Sequence, residues 1–372
     1  MKKFYILIVL TATVAAGAFA EYKTGYYDKM NGKSTAALKA AAKECVSAHT
    51  KLDYTNLPNY WQYTDVYPEL VNGLKRWWDM YSDKEYLIQN GMDGLASFRA
   101  HAMQREHSVP KSWWKDNNVE YTPCYSDLWN LFPSDGTANN RKSNYPLGYT
   151  APDPRFDNGV TKVGIPKDGY GDGAYNVFEP ADRYKGDFAR AYMYVATVYD
   201  DINWNPAYNQ GYPCNTMIEK NAYPTFTEWS INMLLEWSRQ DPVDEKEIRR
   251  NDEVEKYQNN RNPFVDFPEL AEFIWGARTS QVFNVSEQQG LTPTKPGAAV
   301  EEIVSPQTMR IIPAEGGIRI TVSGAASPIH VYDISGREVL YVAEPADGAF
   351  YALPRAVYIV TAAGIQPLKI AL

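Results

Sequence analysis

The sequence comprises 372 residues, with 45 acidic side chains against 37 lysines and arginines, and its formal net charge is −8. A chain of this charge meets a polyanion such as nucleic acid only through a local basic patch, so net charge argues against that partner class. The three cysteines, Cys45, Cys124 and Cys214, lack C-x-x-C spacing. They exclude a zinc knuckle and allow at most one disulfide.

The first twenty residues have the pattern of a secretory signal peptide. Lys2 and Lys3 form a basic start, residues 4–16 are apolar, and Ala18-Phe19-Ala20 gives a cleavage site. Cleavage after Ala20 removes two lysines and changes the net charge to −10. The apolar run is shorter than the roughly 20 residues of a spanning helix, and no later segment approaches that length. We therefore expect a protein that is secreted or held at the cell surface, without a membrane span.

The segment after the signal peptide predicts a helix that Ser34 can cap. Its stripe at helical spacing consists of Leu38, Ala42, Cys45, Val46 and His49. Residues 185–202 predict another helix, with an apolar stripe of Phe188, Tyr192, Val195 and Tyr199. Asp241-Pro242 predicts the start of a charged helix, because Pro favours the first helical position. Residues 145–182 are rich in Gly, Pro, Asp and Asn, which predicts a surface loop.

The middle of the chain predicts four short elements in succession. They are a strand ending near His107, a strand over Asp127–Phe132, a turn over Ser134–Gly136 and a helix over residues 137–144. Pro110 and the residues after it break the first strand, which leaves its last side chains at a cleft mouth. Glu106 and His107 could form a catalytic pair there. The alternative is a surface ion pair of Arg105 with Glu106.

Histidine is the side chain best suited to proton transfer near neutral pH, and the chain has four. His49 falls on a helix stripe and is expected in the core, and His330 is expected in a C-terminal strand. His101 lies six residues before His107 and would share its face if one strand held both. His107 is therefore the preferred candidate for a general base.

The C-terminal part of the chain differs in composition from the rest. We divide the mature chain into a first domain over residues 21–284, a linker over 285–306 and a β-rich domain over 307–372. Five alternating runs after the linker predict a small antiparallel sandwich: GIRITV, PIHVYD, EVLYVA, AVYIVTA and LKIAL.

Four motifs of the first domain resemble the bacterial endonuclease I family of His-Me finger, or ββα-metal, nucleases. In chain order they are REHSVPKSWW, DLWNLFPSDGTANNRKSNYP, FEPADRYKGDFARAYMYVATVY and RNPFVDFPELAEFIWG, beginning at residues 105, 127, 178 and 261. The resemblance covers roughly residues 22–276. It implies an α+β fold class, in which a mainly helical nuclease domain surrounds a ββα-metal motif.

The resemblance implies a role for each motif residue. His107 is expected as the general base, and Glu106 and Asn139 are expected to hold one divalent cation, Mg²⁺ or another such as Mn²⁺ or Ca²⁺. Four further residues are expected to contact substrate: Arg105, Asn130, Arg141 and Lys142. The implied reaction is largely nonspecific hydrolysis of DNA, with RNA as a further substrate, to 5′-phosphate and 3′-hydroxyl ends.

Two positions depart from the family pattern, because Trp129 and Phe267 stand where histidine is usual. An impaired nuclease homologue is therefore one alternative. The aromatic content of 14% suggests another, a secreted glycan-binding or glycan-degrading protein. A glycosidase needs two carboxylates placed by the fold, and a single sequence does not locate such a pair.

The C-terminal runs HVYDISGREVL and LPRAVYIVTAAGIQPLKIAL resemble the type A sorting domain of type IX secretion substrates, with Ala356 in place of the usual Gly. This resemblance implies that the secretion machinery is a partner and that the tail acts as an address. We expect the mature protein to be a monomer.

Overall fold

The structure is a computed structural model. It describes residues 22–114, 122–202, 204, 208–209, 212–213 and 216–288, and then 308–314, 317–323, 329–333, 337–343, 349–354, 356–362 and 365–371. The chain divides into two compact units, Met1–Gly297 and Ala298–Leu372. The predicted signal peptide, Cys214 and most of the predicted linker lie outside the described residues. Cys45 and Cys124 are free thiols.

Helices supply most of the regular structure in the first unit. They are α1 (Thr35–Val46), α2 (Leu57–Thr64), α3 (Gly94–Ala100), α4 (Gly136–Lys142), α5 (Lys185–Val198), α6 (Glu228–Gln240), α7 (Glu245–Gln258), α8 (Pro263–Asp266), α9 (Leu270–Ile274) and α10 (Val285–Gln288). Every residue of α5 is buried. Helix α5 packs against α1 and α6, and its charged residues Lys185, Asp187 and Arg190 are buried in ion pairs with Glu179, Lys246 and Glu247.

The strands of the first unit are short and antiparallel. They are β1 (Lys75–Arg76), β2 (Leu87–Ile88), β3 (Gln104–His107), β4 (Leu131–Ser134), β5 (Phe156–Asp157), β6 (Thr161–Gly164), β7 (Val177–Pro180), β8 (Tyr208–Asn209) and β9 (Tyr212–Pro213). The pairs are β1 with β2, β3 with β4 and β8 with β9, while β5, β6 and β7 form a three-stranded sheet. The predicted loop over residues 145–182 is therefore wrong in part, because it contains this sheet.

Two predicted helix limits are also wrong. Helix α7 begins at Glu245 instead of at Asp241-Pro242, because the Asp244 carboxylate accepts from the Glu247 N–H and Glu247 reaches back to Asp244, which forms a capping box. Helix α1 ends at Val46, so His49 lies beyond it. The His49 side chain is nevertheless buried, with Nε2 3.1 Å from the Tyr199 hydroxyl.

The second unit is built from strands alone among its described residues. They are β10 (Thr308–Ala314), β11 (Gly317–Ser323), β12 (Ile329–Asp333), β13 (Glu338–Val342), β14 (Phe350–Ala352), β15 (Val357–Ala362) and β16 (Ile365–Ala371). One sheet has the order β10-β11-β14 and the other β13-β12-β15-β16. Ile318 of the first sheet and Val331 of the second belong to one buried cluster. Strands β10 and β14 were not among the five predicted runs.

No helix among the described residues has the length and apolar character needed to cross a bilayer.

A chain ending at Gly297 is expected to unfold at the same temperature as the first unit of the full chain, because each unit has its own buried cluster. A chain ending at Asn284 is expected to melt about 5 °C lower. It loses Val285, which is buried in the first cluster and whose N–H donates to Asn31 Oδ1 at 2.8 Å. Calorimetry of the three chains measures both effects, and equal melting of the two shortened chains would contradict the role of Val285.

Candidate active site

Strands β3 and β4 and helix α4 form a strand–loop–strand–helix unit. Glu106 lies opposite Phe132, and His107 lies opposite Leu131. Asp135 caps α4 by accepting the Ala138 N–H at 2.9 Å. The second strand was predicted over Asp127–Phe132, but β4 begins only at Leu131, so this limit is wrong.

Residues 127–130 form a turn that a buried carboxylate organises. Asp127 Oδ1 accepts the Trp129 N–H at 2.8 Å and the Gln258 amide at 2.7 Å. Asp127 Oδ2 accepts the hydroxyls of Tyr194 and Tyr199 at 2.8 and 2.6 Å. Helices α5 and α7 therefore hold the turn from which β4 starts.

A buried arginine also holds this turn. Arg250 of α7 donates Nη2 to the Leu128 carbonyl at 2.8 Å, and its Nε donates to Asp65 Oδ1 at the same distance. Its guanidinium lies 4.8 Å from the centre of the Trp129 ring. Trp129 is thereby a core residue.

His107 ends β3, and its residue surface is only 6% exposed. Its Nε2 lies 3.0 Å from the Tyr125 carbonyl oxygen. A carbonyl only accepts, so Nε2 carries the proton of this hydrogen bond and the lone pair of the neutral ring is on Nδ1. The arrangement fixes the tautomer that a general base needs.

Aromatic rings surround this imidazole. The ring centres of Tyr54, Tyr125 and Trp114 lie 6.0, 5.2 and 5.9 Å from that of His107. The pKa of His107 is lowered to about 3, mainly by burial and to a smaller extent by the charges of Lys111 and Lys142, while the hydrogen bond to the Tyr125 carbonyl opposes this shift. The imidazole is consequently neutral across the physiological pH range.

Glu106 precedes His107 on β3, and its carboxylate is directed to α4. Its Oε1 accepts from Lys142 Nζ at 2.6 Å, and the same ammonium lies 3.3 Å from the His107 carbonyl oxygen. Glu106 is 6% exposed and Lys142 0%. Burial raises the pKa of Glu106, and the charge of Lys142 opposes that rise.

Asn139 is the helix residue expected to complete a metal site. It lies three residues before Lys142, whose ammonium bonds to Glu106, and it is partly exposed whereas Lys142 is buried. A carboxylate and an amide oxygen are donor types that Mg²⁺ accepts, and this buried carboxylate already attracts an ammonium cation. No cluster of three or more His, Cys, Asp or Glu suited to a metal occurs among the described residues.

Three basic side chains near the motif are at least partly accessible. Arg105 is half-buried, and its Nη2 donates to the Thr55 carbonyl at 2.7 Å. Its guanidinium lies 5.2 Å from the centre of the Tyr54 ring. Arg141 and Lys111 are exposed. These three are placed where a nucleic-acid backbone could reach them.

Two of the residues expected to contact substrate lie in the interior. Asn130 is fully buried, and its Oδ1 accepts the Val109 N–H at 2.8 Å while its amide nitrogen faces Cys124. Lys142 is fully buried against Glu106. In this conformation neither side chain is accessible to a phosphate, so we assign both to holding the motif together.

The structure also separates residues that the sequence left open. His101 follows α3 instead of sharing a strand with His107, and its Nε2 lies 2.7 Å from the Leu87 carbonyl oxygen. Phe267 packs in the core against Tyr27 and Phe283. Tyr54 and Tyr125 were missed, since no local pattern connects them with His107. The motif that contains His107 also does not indicate that its imidazole bonds to the Tyr125 carbonyl.

The family model for endonuclease I matches residues 34–269, more than half of the chain. The chain belongs to the endonuclease I family. This endonuclease I family member is 32% identical to an extracellular ribonuclease of Bacillus amyloliquefaciens over 252 residues, 67% of this chain and 78% of the relative. It is also 32% identical to an extracellular ribonuclease of Bacillus subtilis (strain 168) over 271 residues, 72% of this chain and 83% of the relative.

As an endonuclease I family member, the protein is a nuclease that hydrolyses phosphodiester bonds. The match includes β3, β4 and α4, and thus all of the predicted site residues. Family membership decides against the glycan hypothesis.

The buried imidazole predicts a pH dependence of stability. The pKa of His107 falls from 6.5 in the unfolded chain to about 3 in the folded one. Between pH 6.5 and about 3 the unfolded chain binds more protons than the folded chain at this histidine. The folded protein is therefore most stable above pH 6.5, and His107 lowers its stability as the pH falls through this range. Relative to His107→Gln, whose amide can donate to Tyr125 without titrating, the wild type is expected to lose up to about 1.4 kcal/mol per pH unit within this window.

Denaturant titrations of both proteins at several pH values measure this difference. Parallel stability profiles would contradict a buried neutral imidazole.

Proposed function

We propose that the protein is a secreted, divalent-metal-dependent endonuclease of the His-Me finger type that cuts DNA and RNA with little sequence preference. The observation that carries this proposal is the His107 imidazole, which is neutral and has its Nε2–H directed to the Tyr125 carbonyl. This leaves Nδ1 as the basic atom of a residue at a strand end.

His107 acts as the general base. Its Nδ1 takes a proton from a water molecule, the water oxygen attacks phosphorus in line, the bond from phosphorus to the 3′ oxygen breaks, and that oxygen takes a proton from solvent. The products carry 5′-phosphate and 3′-hydroxyl ends. The Tyr125 carbonyl stabilises the imidazolium that forms, because it accepts the Nε2–H in both protonation states.

Glu106 and Asn139 are the residues that would hold the cation. Mg²⁺, Mn²⁺ or Ca²⁺ bound there would supply a positive charge that stabilises the negative charge developing on the phosphate oxygens. Arg105, Arg141 and Lys111 bind the strand on either side through its phosphates. Their contacts are salt-sensitive and independent of base identity.

The substrate class follows from the chemistry of the nucleophile. A water attack on phosphorus uses no 2′-hydroxyl, so DNA and RNA chains are both substrates for such a base. The two relatives are named ribonucleases, which supports RNA as a substrate. The departures at Trp129 and Phe267 fall on side chains packed in the core, so the motif keeps its base and its oxygen donors, and we favour an active enzyme over an impaired homologue.

The relatives are also named extracellular, which supports export of this chain. Residues 1–20 have the pattern of a signal peptide, and we propose that the C-terminal unit is the address read by the secretion machinery. The mature enzyme acts as a monomer outside the cell or at its surface.

The replacement His107→Ala is expected to lower the cleavage of plasmid DNA and of RNA by about 10² to 10⁴-fold, because general-base assistance has that magnitude. EDTA is expected to stop the wild-type enzyme on both substrates. His101→Ala is the matched control, since it removes a histidine from the same segment and should leave cleavage near wild type. A folded His107→Ala protein that cuts at the wild-type rate would show that His107 is not the general base.

The replacements Glu106→Gln and Asn139→Ala are each expected to shift the Mg²⁺ dependence of cleavage to higher concentration, because two protein oxygens leave little redundancy around the cation. Activity is measured against Mg²⁺ for both variants and for Asn140→Ala, an exposed neighbour on α4. If only Asn140→Ala shifts the curve, Asn140 takes the place of Asn139. If no curve moves, the metal site lies elsewhere.

A further inference from the structure

Lys142 is the last residue of α4, and it occupies an unusual position for a lysine. Its side chain is 0% exposed, whereas its neighbour Arg141 is exposed. The ammonium lies 2.6 Å from Glu106 Oε1 and 3.3 Å from the His107 carbonyl oxygen. It therefore touches both residues of the Glu106-His107 pair, from inside the protein.

A buried carboxylate without a partner is costly, so the charge that compensates Glu106 matters for the whole motif. Lys142 supplies that charge at hydrogen-bonding distance. Lys111 also acts on Glu106 through its charge, but it lies on the exposed turn after β3. The Lys142 ammonium is therefore the partner that makes the burial of Glu106 tolerable.

We infer that Lys142 is an internal counter-ion of the metal site: it neutralises and orients Glu106, and it keeps the divalent cation weakly bound. This inference rests on the proposed function, in which Glu106 holds that cation. Among the described residues the ammonium bonds to Oε1 of this carboxylate, which leaves Oε2 for a second cation. A like charge so close to the cation opposes its binding.

Two properties follow from an internal counter-ion. The β3–β4–α4 unit keeps its shape without a divalent cation, because Glu106 is compensated by a side chain of the same unit. The affinity for the cation is lower than that of an uncompensated carboxylate. Lys142 is thus a positioning residue, distinct from the surface cations that meet phosphate.

The test uses the full chain with Lys142→Met, which keeps the length of the side chain and removes its charge. In metal-free buffer its melting temperature is expected to fall by on the order of 10 °C, because one member of a buried pair is lost. Adding Mg²⁺ is expected to recover most of that loss, while the wild type shifts by only about 1–2 °C. Isothermal calorimetry is expected to find Mg²⁺ bound about tenfold tighter, or more, by the variant.

The double variant Lys142→Met/Glu106→Gln separates charge from packing. With both charges removed, the melting temperature in metal-free buffer is expected to rise above that of the single variant and to be unaffected by Mg²⁺. Lys39→Met is the matched control. Lys39 is a buried lysine that bonds to Asp200 at 3.3 Å and to the Ala222 carbonyl at 2.8 Å, and Mg²⁺ should restore none of its lost stability.

Several outcomes would overturn the inference. They are a Lys142→Met protein as stable as the wild type, recovery by Mg²⁺ that is equal in the Lys39→Met control, and a double variant no more stable than the single one. If Lys142→Met fails to fold without metal, folding of the double variant supports the counter-ion and its failure to fold contradicts it. If EDTA does not inhibit the wild type, the proposed metal-dependent function is wrong. The stabilities of the single and double variants in metal-free buffer still test the role of Lys142.

Discussion

The carboxylate of Asp127 is the constraint on which the active site depends. Its two oxygens accept from Trp129, Gln258, Tyr194 and Tyr199, so one buried group joins the turn before β4 to helices α5 and α7. The turn also presents Asn130, which bonds to the main chain at Val109 and at Cys124, next to the carbonyl that orients the imidazole. Asp127 therefore influences the position of the His107 imidazole indirectly, through the turn, Asn130 and the Tyr125 carbonyl.

Local patterns predicted the order of elements better than their limits. The starts of α1 and α5 and the succession strand, loop, strand, helix follow from spacing and breakers that a sequence displays. Residues 127–130 look like a strand, but the Asp127 side chain bonds to the main chain two residues on and favours a turn. The two-residue and four-residue strands between Phe156 and Pro180 are too short to produce a readable alternation.

The sequence predicted which residues belong to the site, but it predicted few of the contacts that these residues make. Glu106, His107 and Asn139 were expected from the motif, and the structure brings the elements that carry them together. Arg141 and Lys142 are adjacent basic residues, but Arg141 is exposed and Lys142 is buried against Glu106 of β3. The sequence alone does not distinguish them, because the difference depends on how α4 packs. Trp129 is buried beneath the Arg250 guanidinium, a contact that its local sequence does not indicate.

The distance along the chain between Asp127 and Gln258 has a consequence for the timing of activity. A nascent chain that has reached Lys142 already contains the whole β3–β4–α4 unit, but the turn before β4 still lacks its partners, 67 residues away at Tyr194 and 131 residues away at Gln258. Contacts of such separation form only when the intervening chain is present and folded. A chain that ends before Gln258 therefore cannot fix the turn before β4, and the surroundings of His107 are complete only when the domain has folded that far.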